Sequence, residues 1–359
     1  MINIAVGMWP TVLLSLALAM TASPVSAQDP VAADCKPYQG IESICGLHAP
    51  EDMVVAPDGQ RIVFGQMAAP GGLFVLDPRG HQVQPLFEAR DISERPLWGE
   101  ASCTRPPDPL LVHGIDLIQR DDGRWQLLAV NHGERESVEF FELLQEPAGL
   151  RALWRGCAQA PDAAGFNDVA AVPGGGFLVT HMADRDSPMW SAFLAVLGFD
   201  SGLVYRWHRE EGFSTLSSTA GRFPNGIIMA PDGGSFFVNM YFGNKVQKFS
   251  FPAAELLGEV SLAKPDNASW SDDGKLLVAS HHANLLQLTN SLEQDQGAPS
   301  LLPYAIVEID PASLDKRQLL INEGPPMGAG TVAIQRGQAV YVGSYAGDRI
   351  VRVPLNPGQ

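Results

Sequence analysis

Short apolar stretches recur along the whole chain, and turn-forming residues separate them. Arg61–Phe64 and Leu73–Leu76 combine β-branched or aromatic residues between Gly and Pro, as β-strands do. Segments of the same kind lie at 126–130, 137–143, 176–180, 235–239, 275–279 and 339–342. Helical periodicity is nearly absent, and strands do not alternate with helices. The pattern therefore predicts an all-β fold.

A motif repeats along these strands: an oxygen-bearing side chain leads, an apolar strand follows, and a glycine stands eight residues after the lead. The leads and glycines of the four full copies are Glu51 and Gly59, Asn167 and Gly175, Asn225 and Gly233, and Asp266 and Gly274. Two looser copies begin at His113 and Ala329. The leads recur every ~40–65 residues, which suits one four-stranded blade per copy. The sequence thus predicts a six-bladed β-propeller as a single domain over residues 28–359, with Arg349–Val353 as the closing strand.

One segment departs from the strand pattern. From Met189 to Leu197, the apolar residues Trp190, Phe193 and Leu194 fall at helical spacing. A helix here could form a lid over the mouth of the propeller, and its apolar surface makes residues 189–197 the candidate for peripheral membrane contact. The alternative is an irregular connection that packs on its own blade.

The N-terminus predicts export. Residues 1–27 carry no charged side chain, contain an apolar run from Thr11 to Met20 and end in the small residues Val25–Ala27. This is typical of a signal peptide cleaved after Ala27, so we expect a secreted or periplasmic protein. The alternative is an uncleaved anchor, although the run is shorter than the ~20 residues that span a bilayer.

Four cysteines follow the predicted signal peptide, and an even number in an exported protein indicates disulfides. Of the three possible pairings, Cys35 with Cys45 and Cys103 with Cys157 joins residues that are close in sequence. Free structural thiols are the alternative. No CxxC motif occurs and the histidines are scattered, so the sequence does not indicate a zinc site.

The net charge of −16 argues against nucleic acid as a partner. It is compatible with cation binding, and equally with an ordinary acidic exported protein.

The repeated leads predict a metal cage. The innermost strand of each blade lines the channel of a propeller, so equivalent leads converge on its axis at one end. The converging oxygen donors are Glu51, Asn167, Asn225, Asp266 and Asn267. Hard oxygen ligands in that number favour Ca²⁺. Each residue taken alone could equally satisfy a turn.

A second cation is predicted one layer below the first. Asp52 and Asp168 directly follow two of the leads, and the carbonyl of Ile115 is the natural third ligand. The alternative is that both carboxylates cap turns or pair with arginine.

Two histidines supply a candidate acid–base pair. His113 leads its copy of the motif, and His132 closes the strand Leu127–Asn131. Paired strands of one blade could therefore bring the two imidazoles together as an acid–base pair. The sequence contains no G-x-S-x-G motif of a serine hydrolase.

The chain resembles the calcium-dependent paraoxonases, also called serum arylesterases and lactonases. The resemblance covers most of the mature chain and is carried, in preserved order, by 50–53, 113–115, 128–132, 138–141, 166–169, 223–226, 265–267, 278–281 and 343–344.

The resemblance implies a six-bladed propeller with two Ca²⁺ in its tunnel. It implies a catalytic ion held by Glu51, Asn167, Asn225, Asp266 and Asn267, and a structural ion held by Asp52, the Ile115 carbonyl and Asp168. His113 and His132 match the family's proposed dyad. Phe223 and His281 match residues near the substrate.

The chain also departs from the family. The family joins an early cysteine, matched by Cys35, to one near the C-terminus, where this chain has none. The region from Asn284 to Pro326 diverges, as do the lid segments, which leaves the substrate range open. The related gluconolactonase propellers use a single metal, whereas the doubled Glu51–Asp52 and Asn167–Asp168 favour two here.

These observations predict a hydrolase of lactones, and of aryl esters as a further class. In the expected mechanism calcium polarises the carbonyl, and His113, assisted by His132, deprotonates the attacking water. A variant has Asp266 as the nucleophile. The alternatives are a non-catalytic, calcium-stabilised binding propeller and a sugar-lactone hydrolase of the gluconolactonase type.

Overall fold

The structure is a computed structural model that describes residues 34–94, 97–147, 149–293 and 298–355. Within these residues, six four-stranded antiparallel sheets form a ring, since the innermost strand of each sheet contacts the innermost strands of its two neighbours. The chain is therefore an all-β, six-bladed propeller, and the predicted fold is confirmed. The predicted signal peptide at 1–27 lies outside the described residues.

Each blade runs from the axis outwards in chain order, apart from the last. Blade 1 comprises Met53–Val55, Ile62–Gln66, Gly72–Asp77 and Gln82–Pro85. Blade 2 comprises Val112–Gln119, Trp125–Asn131, Ser137–Glu146 and Gly149–Gln159. Blade 3 comprises Ala164–Ala171, Phe177–Asp184, Gly202–His208 and Gly212–Gly221. Blade 4 comprises Pro224–Met229, Ser235–Met240, Lys245–Ser250 and Leu256–Ser261. Blade 5 comprises Pro265–Trp270, Leu276–His281, Tyr304–Ile309 and Lys316–Asn322.

Blade 6 closes the ring with a strand from the other end of the chain. It comprises Gly330–Arg336, Ala339–Ser344, Arg349–Pro354 and, outermost, Glu42–Cys45. The prediction that 349–353 closes the ring was therefore wrong, because that segment is the third strand of its own blade. The closing strand has only four residues among turn formers, so its sequence carries little β pattern. An ion pair of 3.1 Å between Arg352 and Glu42 joins it to its neighbour.

The turns that end the inner strands are as predicted. Gly59, Gly175, Gly233 and Gly274 all have positive φ, between 66° and 91°, which is readily available only to glycine. The repeated glycine therefore reflects one backbone requirement that recurs from blade to blade.

Irregular register explains how neighbouring leads can share the axis. Inner strands pair regularly with their neighbours except next to the leads, where the register shifts between Phe166 and Val169, and between Pro265 and Ala268. Such a bulge changes the direction of the side chains within it. Consecutive residues such as Asn167–Asp168 therefore both reach the tunnel instead of facing opposite sides of the sheet.

Both predicted disulfides are present, Cys35–Cys45 and Cys103–Cys157. The second one fixes the long connection between blades 1 and 2 to the outer strand of blade 2. Along that edge, the backbone N–H of Trp98 donates to Arg155 and that of Glu100 to Cys157. The connection thus covers an outer strand that would otherwise be exposed.

Within the described ranges, two helices leave the ring, both after the second strand of a blade. The predicted helical segment forms Pro188–Val196 and follows blade 3's second strand. Leu285–Glu293 follows the second strand of blade 5. In an antiparallel blade the second strand ends where the first begins, so both helices start at the end of the propeller that carries the leads. No helix in the part of the chain that the structure describes is long and apolar enough to cross a bilayer.

Candidate active site

The five oxygen donors predicted to form a cage are all buried, between 1% and 6% exposed. Their side chains form a hydrogen-bonded set rather than isolated turn caps. Asn267 Nδ2 donates to Glu51 Oε1 at 2.8 Å across 216 residues of chain. The amide of Asn225 bonds the carboxyl of Asp266. Asn167 Nδ2 lies 3.2 Å from Nε2 of His113.

These bonds occupy the amide nitrogens and leave oxygens without partners. The Oδ1 atoms of Asn167, Asn225 and Asn267 and Oε2 of Glu51 are buried and accept no hydrogen bond from any residue that the structure describes. An unsatisfied buried acceptor typically costs ~1–3 kcal/mol, so four of them in one buried set favour a compensating partner, either a ligand or ordered water. Oxygens of carboxylates and amides are the ligands of a hard cation such as Ca²⁺. The residues of the cage therefore fit a divalent cation.

The chemistry of this cage rests on amides as much as on acids. No group of three or more His, Cys, Asp and Glu side chains is placed to hold a metal within the described residues. Burial raises the pKa of Glu51 well above its usual range, and the nearby Asp52, Asp266 and Asp168 raise it further. Burial likewise raises the pKa of Asp266 well above its usual value. A bound cation would reverse both shifts by stabilising the ionised forms.

The predicted second layer is arranged differently. Asp52 accepts the backbone N–H of Met53 at 2.8 Å and that of Ile115, in the next blade, at 2.7 Å. Asp168 accepts the N–H of Val169 at 2.7 Å and that of Ile227, again in the next blade, at 2.8 Å. Both carboxylates thus link two blades, and none of their oxygens lacks a partner.

A third carboxylate, which the sequence analysis missed, follows the same rule. Asp116 accepts N–H from Leu117 at 2.8 Å and from Ala171, in blade 3, at 2.7 Å. It stands outside the register of the repeat, so the pattern of leads could not reveal it. Together with Asp52 and Asp168 it borders a cavity of about 190 Å³ that lies beyond the cage along the tunnel.

The two predicted histidines are in direct contact. His113 Nδ1 lies 2.7 Å from His132 Nε2, and His132 Nδ1 lies 2.8 Å from Glu136 Oε2. At the other end, Nε2 of His113 lies 3.6 Å from Oε1 of Glu51. Burial, together with the neighbouring His132, lowers the pKa of His113 well below its usual value, so this imidazole is neutral near pH 7. Sequence analysis missed Glu136, whose only signal was its position four residues after His132.

His281 lies against the cage rather than at an open mouth. It is fully buried, and its Nε2 lies 3.1 Å from the carbonyl of Gly330 and 3.5 Å from Asp266 Oδ2. The hydroxyl of Tyr241 lies 2.8 Å from its Nδ1. Burial lowers the pKa of His281 to about 4.

Phe223 stands beside the same region in a strained backbone conformation. Its φ of 61° is unusual for a residue with a side chain, and its N–H donates to Ser201 Oγ at 2.9 Å. Its ring lies 4.9 Å from that of Phe242 and 6.2 Å from that of Tyr241. The predicted substrate residue thus belongs to an aromatic cluster whose other members the sequence analysis did not single out.

The helix Pro188–Val196 begins close to the cage. It follows the strand that carries Met182, whose sulfur lies 3.3 Å from Nδ2 of Asn167, and Ser191 Oγ accepts the N–H of Asp184. Trp190 and Phe193 stack at 5.4 Å and are 59% and 50% exposed. An apolar surface therefore stands near the end of the tunnel that holds the leads.

The fold and the site together define a six-bladed propeller with a buried, oxygen-rich centre. Several solved structures are similar to this fold at low sequence identity. The luciferin-regenerating enzyme has a TM-score of 0.53 at 14% identity, covering 89% of this chain and 95% of that one. A gluconolactonase from Xanthomonas campestris has a TM-score of 0.51 at 14% identity, covering 88% and 89%. A calcium-binding regucalcin from Agrobacterium tumefaciens has a TM-score of 0.50 at 12% identity, covering 87% and 92%.

These similarities establish the fold. No protein-family model and no curated protein sequence matches the chain.

Proposed function

We propose that the protein is a calcium-dependent hydrolase of lactones that also accepts aryl esters, as the resemblance to the paraoxonases suggests. The observation that carries this proposal is the chain of contacts from Glu136 through His132 to His113, which ends beside the oxygens of the cage. A neutral imidazole next to a cation site can take a proton from water. A purely structural propeller requires no such arrangement.

The cage residues would hold the catalytic ion, and their unpartnered oxygens support this assignment. When bound, Ca²⁺ supplies Lewis-acid stabilisation of the negative charge that develops on the carbonyl oxygen of a lactone. We extend the proposal to a second ion at Asp52, Asp168 and the Ile115 carbonyl. The carboxylate oxygens there already accept N–H groups, and each retains a lone pair for a cation.

The chain's own residues have distinct tasks in this reaction. Nε2 of His113 accepts the proton of the attacking water, and the hydrogen bond to His132 stabilises the imidazolium that forms. Phe223 bounds the space for the substrate, while His281 holds Asp266 in place through its 3.5 Å contact. Asp266 is the alternative nucleophile, because its carboxyl belongs to the same buried set.

A sugar-lactone hydrolase is the second candidate, and the structural similarity to the Xanthomonas campestris gluconolactonase favours it. The two substrates demand different surroundings. A sugar lactone presents several hydroxyls, whereas the side chains around Phe223 are largely aromatic. The aromatic cluster favours the less polar lactones and aryl esters.

The remaining expectations concern the protein's location. We propose export by the N-terminal segment, with cleavage after Ala27 into a secreted or periplasmic protein. The exposed Trp190 and Phe193 support peripheral contact with a membrane.

One set of assays tests the proposal. Purified protein is assayed against aliphatic lactones, sugar lactones and aryl esters in calcium, after chelation, and after calcium or magnesium is restored. We expect calcium-restored turnover, fastest with aliphatic lactones. Preference for sugar lactones would support the second candidate. Calcium-dependent stability without turnover of any substrate would contradict both and leave the binding propeller.

A further inference from the structure

We propose that Glu136 is a positioning residue that fixes the tautomers of His132 and His113, and with them the direction of an oxygen in the metal cage. The proposal rests on the proposed function for its catalytic meaning. Its structural content concerns only which atoms carry protons. The side chain of Glu136 is only 5% exposed, and the residue belongs neither to the predicted dyad nor to the cage.

The direction of the hydrogen bonds is set by a backbone group that cannot change roles. The N–H of Phe166 donates to Glu136 Oε1 at 2.7 Å. The other oxygen of this carboxylate also accepts, so it requires N–H on Nδ1 of His132 at 2.8 Å. When the ring carries a single hydrogen, this places it on Nδ1 and makes Nε2 of His132 an acceptor.

The same logic continues into the cage. His132 Nε2 accepts from Nδ1–H of His113 at 2.7 Å, which leaves the lone pair of His113 on Nε2. That lone pair accepts from Nδ2 of Asn167 at 3.2 Å. Asn167 Oδ1 consequently points away from His113, and it has no hydrogen-bond partner among the described residues. Glu136 thus determines, through three successive groups, both which nitrogen of His113 carries the lone pair and the direction of a ligand oxygen of the cage.

Replacing Glu136 with the isosteric Gln would reverse the direction of the successive hydrogen bonds through His132 and His113. Gln has one oxygen and one NH₂ group, whereas the site presents two donors. If its oxygen accepts from Phe166, its NH₂ faces Nδ1 of His132 and forces hydrogen onto Nε2. His113 would then carry hydrogen on Nε2, and Asn167 would turn its oxygen from the cage to this new donor.

Nitrogen NMR of histidine-labelled full-length protein reads the tautomers directly, with His132→Gln and His113→Gln used to assign signals. In the wild type we expect Nδ1–H on both histidines. Glu136→Gln should move both to Nε2–H, whereas Glu134→Gln, in the same turn but paired with Arg105, should change neither. Nε2–H on either histidine in the wild type would overturn the proposal, whether or not Glu136→Gln folds.

Kinetics and calcium affinity test the functional consequence. A wrong tautomer in the histidine of a serine protease triad lowers kcat by about 10⁴, so Glu136→Gln should lower kcat by at least ~10² with a smaller change in KM. It should also weaken calcium binding, because Asn167 Oδ1 leaves the cage. In a His132→Gln background the substitution should have little further effect on kcat. An equal loss in that background would contradict relay through His132.

The failure of the proposed function would look different. Wild-type protein that hydrolyses no substrate would overturn the hydrolase assignment, while the tautomers and the calcium affinity of Glu136→Gln would still decide whether Glu136 positions the cage.

Discussion

A hydrogen bond of 2.7 Å joins His113 and His132, although 19 residues separate them in the sequence. The two meet because each lies next to one member of a cross-strand pair. Val112 pairs with Asn131 in blade 2, and each histidine follows one of these residues in the chain, so the two imidazoles meet diagonally across this pair, beside the register shift between Val112 and Ile115. The pair thus takes its geometry from two paired strands of blade 2, with His113 near the start of one and His132 directly after the end of the other. This is the kind of support that a catalytic base requires.

Replacing the base should reduce the reaction without emptying the cage. We expect His113→Gln to lower kcat by 10²–10⁴, about 3–5 kcal/mol of barrier, because a positioned base is lost. The amide oxygen of Gln can still accept from Asn167, so calcium affinity should change only a few-fold. Steady-state kinetics and calcium titration of the same preparation check this. A near-normal rate would remove His113 from the mechanism and leave Asp266 as the attacking group.

The cage and the second layer should respond differently to mutation. Asp266→Ala removes a predicted calcium ligand, so we expect loss of turnover and of calcium-induced stabilisation. Asp52→Ala leaves two N–H groups of the tunnel without an acceptor, which should lower the free energy of unfolding by about 2–5 kcal/mol. Thermal melts and rates separate the two effects. Full turnover of Asp266→Ala at saturating calcium would contradict the cage.

Asp116 provides a matched control for the proposed second ion. It bridges two blades as Asp52 does, but it is not among the predicted ligands. After chelation, Asp52→Ala and Asp116→Ala should lower Tm by similar amounts. In calcium, Asp52→Ala should lower Tm more than Asp116→Ala does, because it also removes a predicted calcium ligand. Equal losses in both conditions would indicate that these carboxylates only link blades and that one ion is bound.

Much of this arrangement followed from the repeat. The leads marked the axial end of each inner strand, and the glycines marked turns that require positive φ, so the sequence predicted which side chains would meet. The bulges beside Asn167 and Asp266 could not be read from the pattern, although they allow neighbouring residues to share the tunnel.

The residues that escaped prediction depend on contacts outside the repeat. Glu136 reaches His132 through a turn, and Tyr241 meets His281 across two blades. The closing strand Glu42–Cys45 is defined by its partner rather than by its own four residues. Periodicity reports how a strand faces the core, and it carries no information on such long-range side-chain pairs.

Calcium should stabilise the protein more as the pH rises. Burial raises the pKa of Asp52 to about 7 and that of Asp116 to about 6, above the ~4 of an unfolded chain. The folded, metal-free protein therefore binds protons that the unfolded chain has released. The stability that these groups contribute is complete below pH ~4 and is lost as the pH rises through 6–7.

A cation bound at Asp52 replaces its proton, and the charge of that cation favours the ionised form of Asp116, which borders the same cavity. The difference in Tm with and without calcium should therefore grow between pH 5 and pH 8. Buried histidines such as His281 are present both with and without calcium, so their effect on Tm largely cancels in this difference. Melts of the same sample in calcium and in chelator provide the measurement. A pH-independent difference would mean that the cation does not bind at the buried carboxyls.

The exposed helix Pro188–Val196 should select substrates by the length of their acyl chain. Trp190 and Phe193 form a stacked pair near the end of the tunnel that holds the leads, where a long aliphatic lactone would project out of the site. Each buried methylene contributes roughly 0.8 kcal/mol, so contact with two or three of them is worth about 10-fold or more in kcat/KM. Replacing both residues with Ser should therefore lower kcat/KM about 10-fold for long-chain lactones and leave short-chain lactones nearly unchanged.

Leu256 and Leu257, which are similarly exposed on the outer strand of blade 4, supply a control pair whose replacement with Ser should alter neither value of kcat/KM. Equal losses of kcat/KM for short-chain and long-chain lactones would show that the helix supports the fold rather than the substrate. If kcat/KM stays unchanged for both, membrane contact is the remaining role of the helix, and binding of the wild type and the Ser variant to phospholipid vesicles tests it.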